Sequence, residues 1–268
     1  MLFRSAASCN SITINGGATL NASTFALNVF TDWNNNGTFN AGTSTVNMVG
    51  DNQLIGGSAI TSFNHLIVAT TVTAALTSAI NVLGDLSTTS TGTLKTETFN
   101  ITVNGLTTAG GASSIKDAGA GLKQYNGGIA INGGSFVSTV PISIPSSGQL
   151  TVILGNLTLN AGTGTFSVAA GAPINISGGN ITIGAAQTFS LNNTVNMTGG
   201  SINGNGALVI NSTFNMNGGT LAGAGTSTVS SPNVMNIAGA SIILSRSIAA
   251  PTVNWQSGDI TIGSGSIL

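Results

Sequence analysis

Six acidic side chains are the groups in this sequence best suited to acid–base catalysis or cation binding, and they are widely separated along the chain. They are Asp32, Asp51, Asp85, Glu97, Asp117 and Asp259. A glycosidase needs two carboxylates that face one sugar bond, and the sequence pairs none. If stacked repeats placed Asp32 and Asp51 on neighbouring turns, they could bind Ca²⁺ weakly, but the Gly/Asp nonapeptide of calcium-binding β-rolls is absent. The sequence therefore predicts no catalytic residue and no metal site.

The remaining reactive side chains occur singly. His65 is the one histidine of the chain, which excludes a metal site built from several imidazoles. It lies in the largely apolar run 63–67, where we expect a surface or strand-edge position. Cys9 is the one cysteine, so an intramolecular disulfide is impossible, and we interpret it as an incidental thiol. No cofactor is predicted.

The charge of the chain argues against two classes of partner. The basic residues Arg4, Lys95, Lys116, Lys123 and Arg246 are scattered, and the net charge is −1. Nucleic-acid binding and electrostatic attachment to anionic membranes both need clustered Lys and Arg. In addition, no segment approaches the ~18–20 continuous apolar residues of a membrane span. We therefore expect neither a nucleic-acid partner nor a membrane span in this segment.

The composition favours an all-β fold. Charged residues make up 4% of the chain, against roughly 25% in typical soluble domains. Hydrophobic residues are still 41%, so the chain does not have the composition of a disordered protein. Helix formers such as Glu, Lys and Arg are scarce, whereas Thr, Val and Ile are plentiful. We expect a polar surface made of hydroxyls and amides.

A repeat of about 20 residues organises the second half of the chain. Five copies align on an asparagine that is flanked by apolar residues and followed by a pair of small residues: Asn175, Asn196, Asn215, Asn236 and Asn254. Successive asparagines lie 21, 19, 21 and 18 residues apart. A repeat of this length is typical of solenoids, whereas helical repeats such as ankyrin need a period above about 30 residues.

The repeat predicts a parallel, right-handed β-solenoid with turns of about 18–22 residues, and about 13 turns in all. Apolar and polar residues alternate around each asparagine, which places the apolar side chains on one face of a strand. Stacking in register would put Val195 over Phe214 and Met197 over Met216, about 4.8 Å apart. The glycine pairs are expected at the corners, because Gly adopts φ > 0 without steric cost.

The repeated asparagines allow two interpretations. Their amides could bond from turn to turn as a ladder, as in cross-β stacks, or they could simply point outward into solvent. The aromatic residues Trp33, Tyr125 and Trp255 could stack on sugars. Trp255, however, takes a position held by Met or Ile in other copies of the repeat, so we expect it in the core or against the end of the stack.

The whole chain, 1–268, is interpreted as one continuous solenoid. Residues 109–128 fit the repeat least well, and we expect a loop or irregular turn there, as a seam before the more regular repeats of 129–268. Pro141 and Pro145 flank a short apolar run, and proline favours a strand end or corner. The two ends lack an export signal and an anchor, so we expect the chain to be a fragment of a longer protein.

The segment Asn254–Gly265 and its four relatives resemble repeats of large secreted bacterial β-helix proteins, the passengers of autotransporters and haemagglutinin-like adhesins. The segment Trp33–Gly50 is similar to a motif of repetitive bacterial surface proteins. The resemblance implies an extracellular or surface-attached protein that serves adhesion or spacing, and it transfers no functional residue.

The expected function is therefore that of a structural or adhesive repeat region without a catalytic site, a stalk or a contact surface. Surface glycans or other surface proteins are the expected partners, together with end-to-end self-association. The alternative is a polysaccharide-binding or lyase-like β-helix, whose sites need clustered Asp, Arg and Lys. Ice binding is less favoured, because the Thr-x-Thr runs at 163–165 and 226–228 do not recur at the spacing of the turns.

Overall fold

A computed structural model describes residues 5–160 and 164–268, and these residues form 36 β-strands and no helix. The described part of the chain thus has no helix long and apolar enough to cross a membrane. Parallel strands stack into a β-solenoid of about 12 turns, one fewer than the repeat length predicts. The chain divides into two compact units, Met1–Gly127 with Gly134–Phe136, and Gly128–Gly133 with Val137–Leu268.

The first unit contains turns of three short strands each. Its strands are β1 (Ala7–Cys9), β2 (Ile12–Ile14), β3 (Thr19–Asn21), β4 (Ala26–Val29), β5 (Trp33–Asn35), β6 (Thr38–Asn40), β7 (Thr45–Met48), β8 (Gln53–Gly56), β9 (Thr61–Phe63), β10 (His65–Val68), β11 (Thr73–Leu76), β12 (Ile80–Val82), β13 (Leu86–Thr88), β14 (Thr93–Glu97), β15 (Ile101–Val103), β16 (Thr107–Gly110), β17 (Ser114–Asp117) and β18 (Lys123–Tyr125). Most strands pair in parallel with the equivalent strand of the next turn, as β4 does with β7 and β12 with β15. On the third face the pairing is interrupted between β6 and β9, which belong to separate sheets. The solenoid therefore has three faces, made by the first, second and third strands of its turns.

The strands after Gly127 continue the same three-strand order. They are β19 (Ile129–Ser138), β20 (Ile142–Ile144), β21 (Leu150–Leu159), β22 (Gly164–Val168), β23 (Ile174–Ile176), β24 (Asn180–Ile183), β25 (Gln187–Leu191), β26 (Val195–Met197), β27 (Ser201–Gly204), β28 (Ala207–Ile210), β29 (Phe214–Met216), β30 (Gly219–Ala222), β31 (Ser227–Val229), β32 (Met235–Ile237), β33 (Ile242–Ser245), β34 (Ile248–Ala249), β35 (Val253–Trp255) and β36 (Ile260–Ile262). The long strand β21 serves as both first and second strand of its turn, since it pairs with β23 and with β24. Short β20, between Pro141 and Pro145, confirms the expected corners there.

The register of the repeats is the one that the asparagine spacing predicts. Val195 pairs with Phe214 and Met197 with Met216. The five repeated asparagines form one column on the first-strand face, because β23, β26, β29, β32 and β35 pair successively through them. Because the side-chain period of a strand is two, this register directs the flanking apolar residues away from the asparagine column, and those of the first four copies are buried.

The core is a set of apolar columns inside the turns. Val195, Met197, Phe214 and Met216 are fully buried, as are the equivalent aliphatic residues of most other turns. Burying one such side chain contributes roughly 1.5–3 kcal/mol, and a single turn could not bury its apolar face alone. The stack of turns, rather than any local segment, therefore stabilises the fold.

The corner glycines have the role that the sequence predicts. Gly200 has φ +73°, and a Cβ there would lie 2.6 Å from the carbonyl oxygens of Gly178 and Gly179 in the turn below. In the fourth copy the second glycine is replaced by Ala240, and Ser241 takes the left-handed conformation with φ 60°. The corner thus needs one left-handed residue and a close approach between turns.

Of the loop or irregular turn expected at residues 109–128, the structure has a turn and not a loop, because β17 and β18 pair with β14 and β15 like the strands of other turns. The expected irregularity is present in a different form. The register shifts between Lys95 and Glu97 where β14 meets β17, and Glu97 has φ 48°. This bulge changes the direction of the side chains beside it, which matters for the buried cluster described below.

Candidate functional site

The acidic residues at the corners bind backbone groups of the following turn. The Oδ1 atom of Asp32 accepts a hydrogen bond from the Leu54 amide at 2.8 Å, and that of Asp85 accepts one from the Leu106 amide at 2.8 Å. The Asp51 carboxylate accepts hydrogen bonds from the Thr71 hydroxyl and amide, which lower its pKa. In the described residues no three His, Cys, Asp or Glu side chains come together as metal ligands. Asp32 and Asp51 thus cap corners, and the structure does not gather them into a Ca²⁺ site.

His65 lies at a corner, half exposed, as the sequence predicts. Its Nδ1 atom accepts a hydrogen bond from the backbone amide of Asp85 at 2.9 Å and lies 3.9 Å from that residue's Oδ2 atom. The imidazole therefore joins one turn to the next. Cys9 is half buried beside the Asn28 carbonyl, and burial raises the pKa of its thiol, which makes the thiol less reactive.

Because the repeat fits least well around Lys116–Tyr125, the sequence favours this segment as the place of any localised function. The structure brings together three of its residues. Asp117 is buried, and both of its carboxylate oxygens accept hydrogen bonds from the Tyr125 hydroxyl at 2.8 Å. The Thr96 hydroxyl donates to the same carboxylate at 2.9 Å. Lys123 donates from Nζ to the backbone oxygens of Thr96, Phe99 and Glu97, the last at 2.9 Å. We call these residues the Asp117 cluster. Lys116, by contrast, is exposed.

Burial dominates the electrostatics of the Asp117 cluster. It raises the pKa of Asp117 to about 6, although the hydrogen bonds from Tyr125 and Thr96 and the charge of Lys123 act in the opposite direction. Burial also lowers the pKa of Lys123 and, together with Asp117, raises that of Tyr125. A perturbed carboxyl group is a common sign of an active site. Here the carboxyl group lies inside the solenoid, where a substrate has no access to it. The cluster therefore links neighbouring turns through buried hydrogen bonds.

Two of the three aromatic residues considered for sugar stacking are buried. Trp33 packs against Phe39 and Phe63, with ring centroids 4.7 and 5.0 Å away. Tyr125 packs against Phe136 at 5.3 Å. Because both rings are buried, neither is available to stack on a sugar. Trp255 is in register with Ile237 and is 63% exposed in the last turn. Of the two positions expected for it, it therefore takes the one at the end of the stack and not the one in the core.

Arg246 is a buried charged residue whose position the sequence did not predict. It is buried at the corner between β33 and β34 and donates to the carbonyl oxygens of Gly204, Gly206 and Thr226, the first at 3.4 Å. It also lines a cavity of about 660 Å³. Burial lowers its pKa. The one sign of this in the sequence is that Arg246 is a lone arginine in a segment almost free of charge. By composition alone it is simply one of the scattered basic residues.

Four of the five repeated asparagines form a hydrogen-bonded ladder on the outside of the solenoid. Asn215 donates from Nδ2 to the Asn196 Oδ1 atom at 2.9 Å, Asn236 to Asn215 at 2.8 Å, and Asn254 to Asn236 at 3.0 Å. Asn196 and Asn254 are exposed, and the other two are half-buried. The two interpretations of the sequence are therefore both correct, since the amides point outward and bond from turn to turn.

Comparison with known proteins identifies no relative. No protein-family model, no curated protein and no solved structure matches this chain. The features of the chain that could serve a function are its buried charged side chains, the acids that cap its corners and the outward columns of uncharged side chains.

Proposed function

We propose that this chain is a structural or adhesive repeat region of a bacterial extracellular or cell-surface protein, similar in kind to autotransporter and haemagglutinin-like adhesin passengers. It acts as a stalk or as a contact surface for glycans or other surface proteins, and it carries out no catalysis. End-to-end association with further copies is compatible with this role, because unpaired strand edges at the end of a stack are templates for pairing.

The observation that carries the proposal is how the charged side chains are used. Three carboxylates accept hydrogen bonds at corners, those of Asp32, Asp51 and Asp85. Three further charged residues are buried and hydrogen-bonded within the solenoid, namely Asp117, Lys123 and Arg246. The outside of the solenoid carries repeated columns of uncharged polar side chains, among them the ladder of Asn196, Asn215, Asn236 and Asn254. A lyase or glycosidase needs charged groups that converge on a substrate, whereas a repeated uncharged surface suits contact along its length.

The proposal is tested with beads that carry the purified protein at a fixed density. We expect the beads to be retained under flow on at least one surface among insoluble polysaccharides, a mucin layer and a layer of the same protein. A matched control carries the heat-unfolded chain. Release of reducing ends or of unsaturated sugars from the polysaccharides would identify an enzyme and overturn the proposal. Retention on none of these surfaces would overturn the adhesive role.

A further inference from the structure

The outward side of the first-strand face in the second unit is a continuous array of uncharged hydrogen-bonding groups, which we call the amide face. Its centre is the asparagine ladder. The neighbouring outward positions are Thr194, Thr213, Val234 and Thr252 on one side and Thr198, Asn217, Ala238 and Gln256 on the other. Cross-turn hydrogen bonds, such as that from the Val195 amide to the Thr213 carbonyl at 2.9 Å, hold these columns in line. Six of these eight flanking side chains are polar, and none is charged.

The ladder leaves hydrogen-bonding capacity directed at solvent. An asparagine amide has two N–H donors and an oxygen with two lone pairs. A ladder contact uses one donor of the upper residue and one lone pair of the lower residue, as between Asn236 and Asn215. Each ladder member between two others therefore retains one donor and one lone pair. These groups recur at the strand spacing of about 4.8 Å, along the axis of the stack.

We propose that the amide face binds an extended, uncharged polysaccharide whose chain lies along the asparagine ladder. This inference rests on the proposed function as a contact surface and names its partner. A pyranose chain presents hydroxyl groups that donate and accept, at a repeat comparable with the spacing of the turns. A neutral partner fits because the face has no charged side chain to balance an ionic one, and unbalanced charges that lose water are costly.

Trp255 does not belong to the amide face. It directly follows Asn254 and is in register with the buried Ile237, so its side chain lies on the opposite side of the strand. The binding groups of the amide face are therefore its amides and hydroxyls.

The test measures sedimentation of the whole chain with microcrystalline cellulose and with chitin, both neutral and extended. We expect saturable binding that changes little with salt, because it involves no ion pair. Asn215→Ser/Asn236→Ser is expected to weaken binding roughly tenfold or more, since several hydrogen bonds to the ligand are lost. The matched control is Asn192→Ser/Asn211→Ser, which removes an amide pair of 2.7 Å outside the face and is expected to change binding by less than about twofold.

Circular dichroism and thermal unfolding confirm that each variant is folded, and Asn215→Thr/Asn236→Thr, with its higher strand propensity, replaces the serine variant if that one unfolds. Three results would overturn the inference. The first is binding to calcium polygalacturonate gel but not to cellulose or chitin, and the second is sedimentation that reflects only self-association of the protein. The third is equal binding of the wild type and the ladder variant. If the beads adhere to mucin but the protein binds neither cellulose nor chitin, this inference falls and the proposed function stands. If sugar ends are released, the proposed function falls, while a loss of binding in the ladder variant would still support the amide face.

Discussion

Asp117 is a buried carboxyl group held by two hydroxyls and a nearby ammonium group. Its pKa of about 6 lies above the value of about 3.9 in an unfolded chain. The folded protein therefore binds this proton more tightly than the unfolded chain does. The stability that results is fully present below about pH 4 and is lost as the pH rises through 6. The full effect is about 3 kcal/mol.

Asp117→Asn removes this titration. We expect the difference in unfolding midpoint between wild type and variant to change in favour of the wild type as the pH falls from 7 to about 4.5. Urea unfolding at several pH values measures it, and Asp259→Asn, which alters an exposed acid in the second unit, is the control. Parallel pH profiles for wild type and Asp117→Asn would contradict the assignment of a raised pKa.

Arg246 connects three turns through backbone oxygens that are up to 42 residues away in sequence. Arg246→Met keeps the apolar stem but removes the guanidinium donor from all three carbonyl groups. The Gly204 and Thr226 oxygens still accept from the amides of Gly225 and Leu208, so the main loss is the buried hydrogen bond to Gly206. We expect a loss of about 1–3 kcal/mol in the free energy of unfolding. Urea unfolding measures it.

Lys116→Met is the matched control for Arg246→Met, because Lys116 is an exposed side chain on the outside of β17. A surface change of this kind is expected to stay within about 0.5 kcal/mol. Equal effects of the two substitutions would show that the corner hydrogen bonds of Arg246 contribute nothing to stability.

Corners and strands together make one turn, and the corners set how closely turns approach. Gly200 and Gly17 both have positive φ, but a Cβ at Gly200 would meet two carbonyl oxygens at 2.6 Å, whereas a Cβ at Gly17 would meet nothing within 4 Å. A comparison of these two glycines therefore separates backbone strain from steric contact between turns.

Gly17→Ala is expected to lower the free energy of unfolding by about 1–2 kcal/mol, because a residue with a Cβ is strained in the left-handed conformation. Gly200→Ala should cost about 1–3 kcal/mol more, because the turns must move apart. Thermal and urea unfolding of both variants check this. Equal losses of the free energy of unfolding in the two variants would show that the close approach of the turns at Gly200 does not add to the cost of a side chain there.

At the scale of the whole molecule, each turn contacts mainly its neighbours, so stability is roughly a sum over turns and their interfaces. The register offers a direct test, since Val195 pairs with Phe214 and these residues are one turn apart. Deletion of residues 195–213 should join Thr194 to Phe214 in the original register. We expect a folded all-β protein with a modestly lower unfolding midpoint, measured by circular dichroism and urea unfolding.

Deletion of residues 195–204 is the matched control for the deletion of a full turn. It removes about half a turn and shifts every later strand onto the wrong face. We expect a protein that does not fold beyond the deletion, with loss of β-sheet signal and easy proteolysis. Equal tolerance of the two deletions would contradict the model of a stack held by register.

The sequence by itself determined the β-solenoid, the register of its regular repeats and the outward asparagine column. These follow from two local periods, an alternation of two within a strand and about 20 residues per turn. Only the tertiary structure decided which unusual side chains are buried. Their hydrogen-bond partners lie 8 to 42 residues away in the sequence, as those of Trp33, Asp117, Tyr125 and Arg246 show. Their placement depends on corner geometry and on a bulge after Lys95, which no local pattern specifies, because depth inside a stack is fixed by the turns above and below.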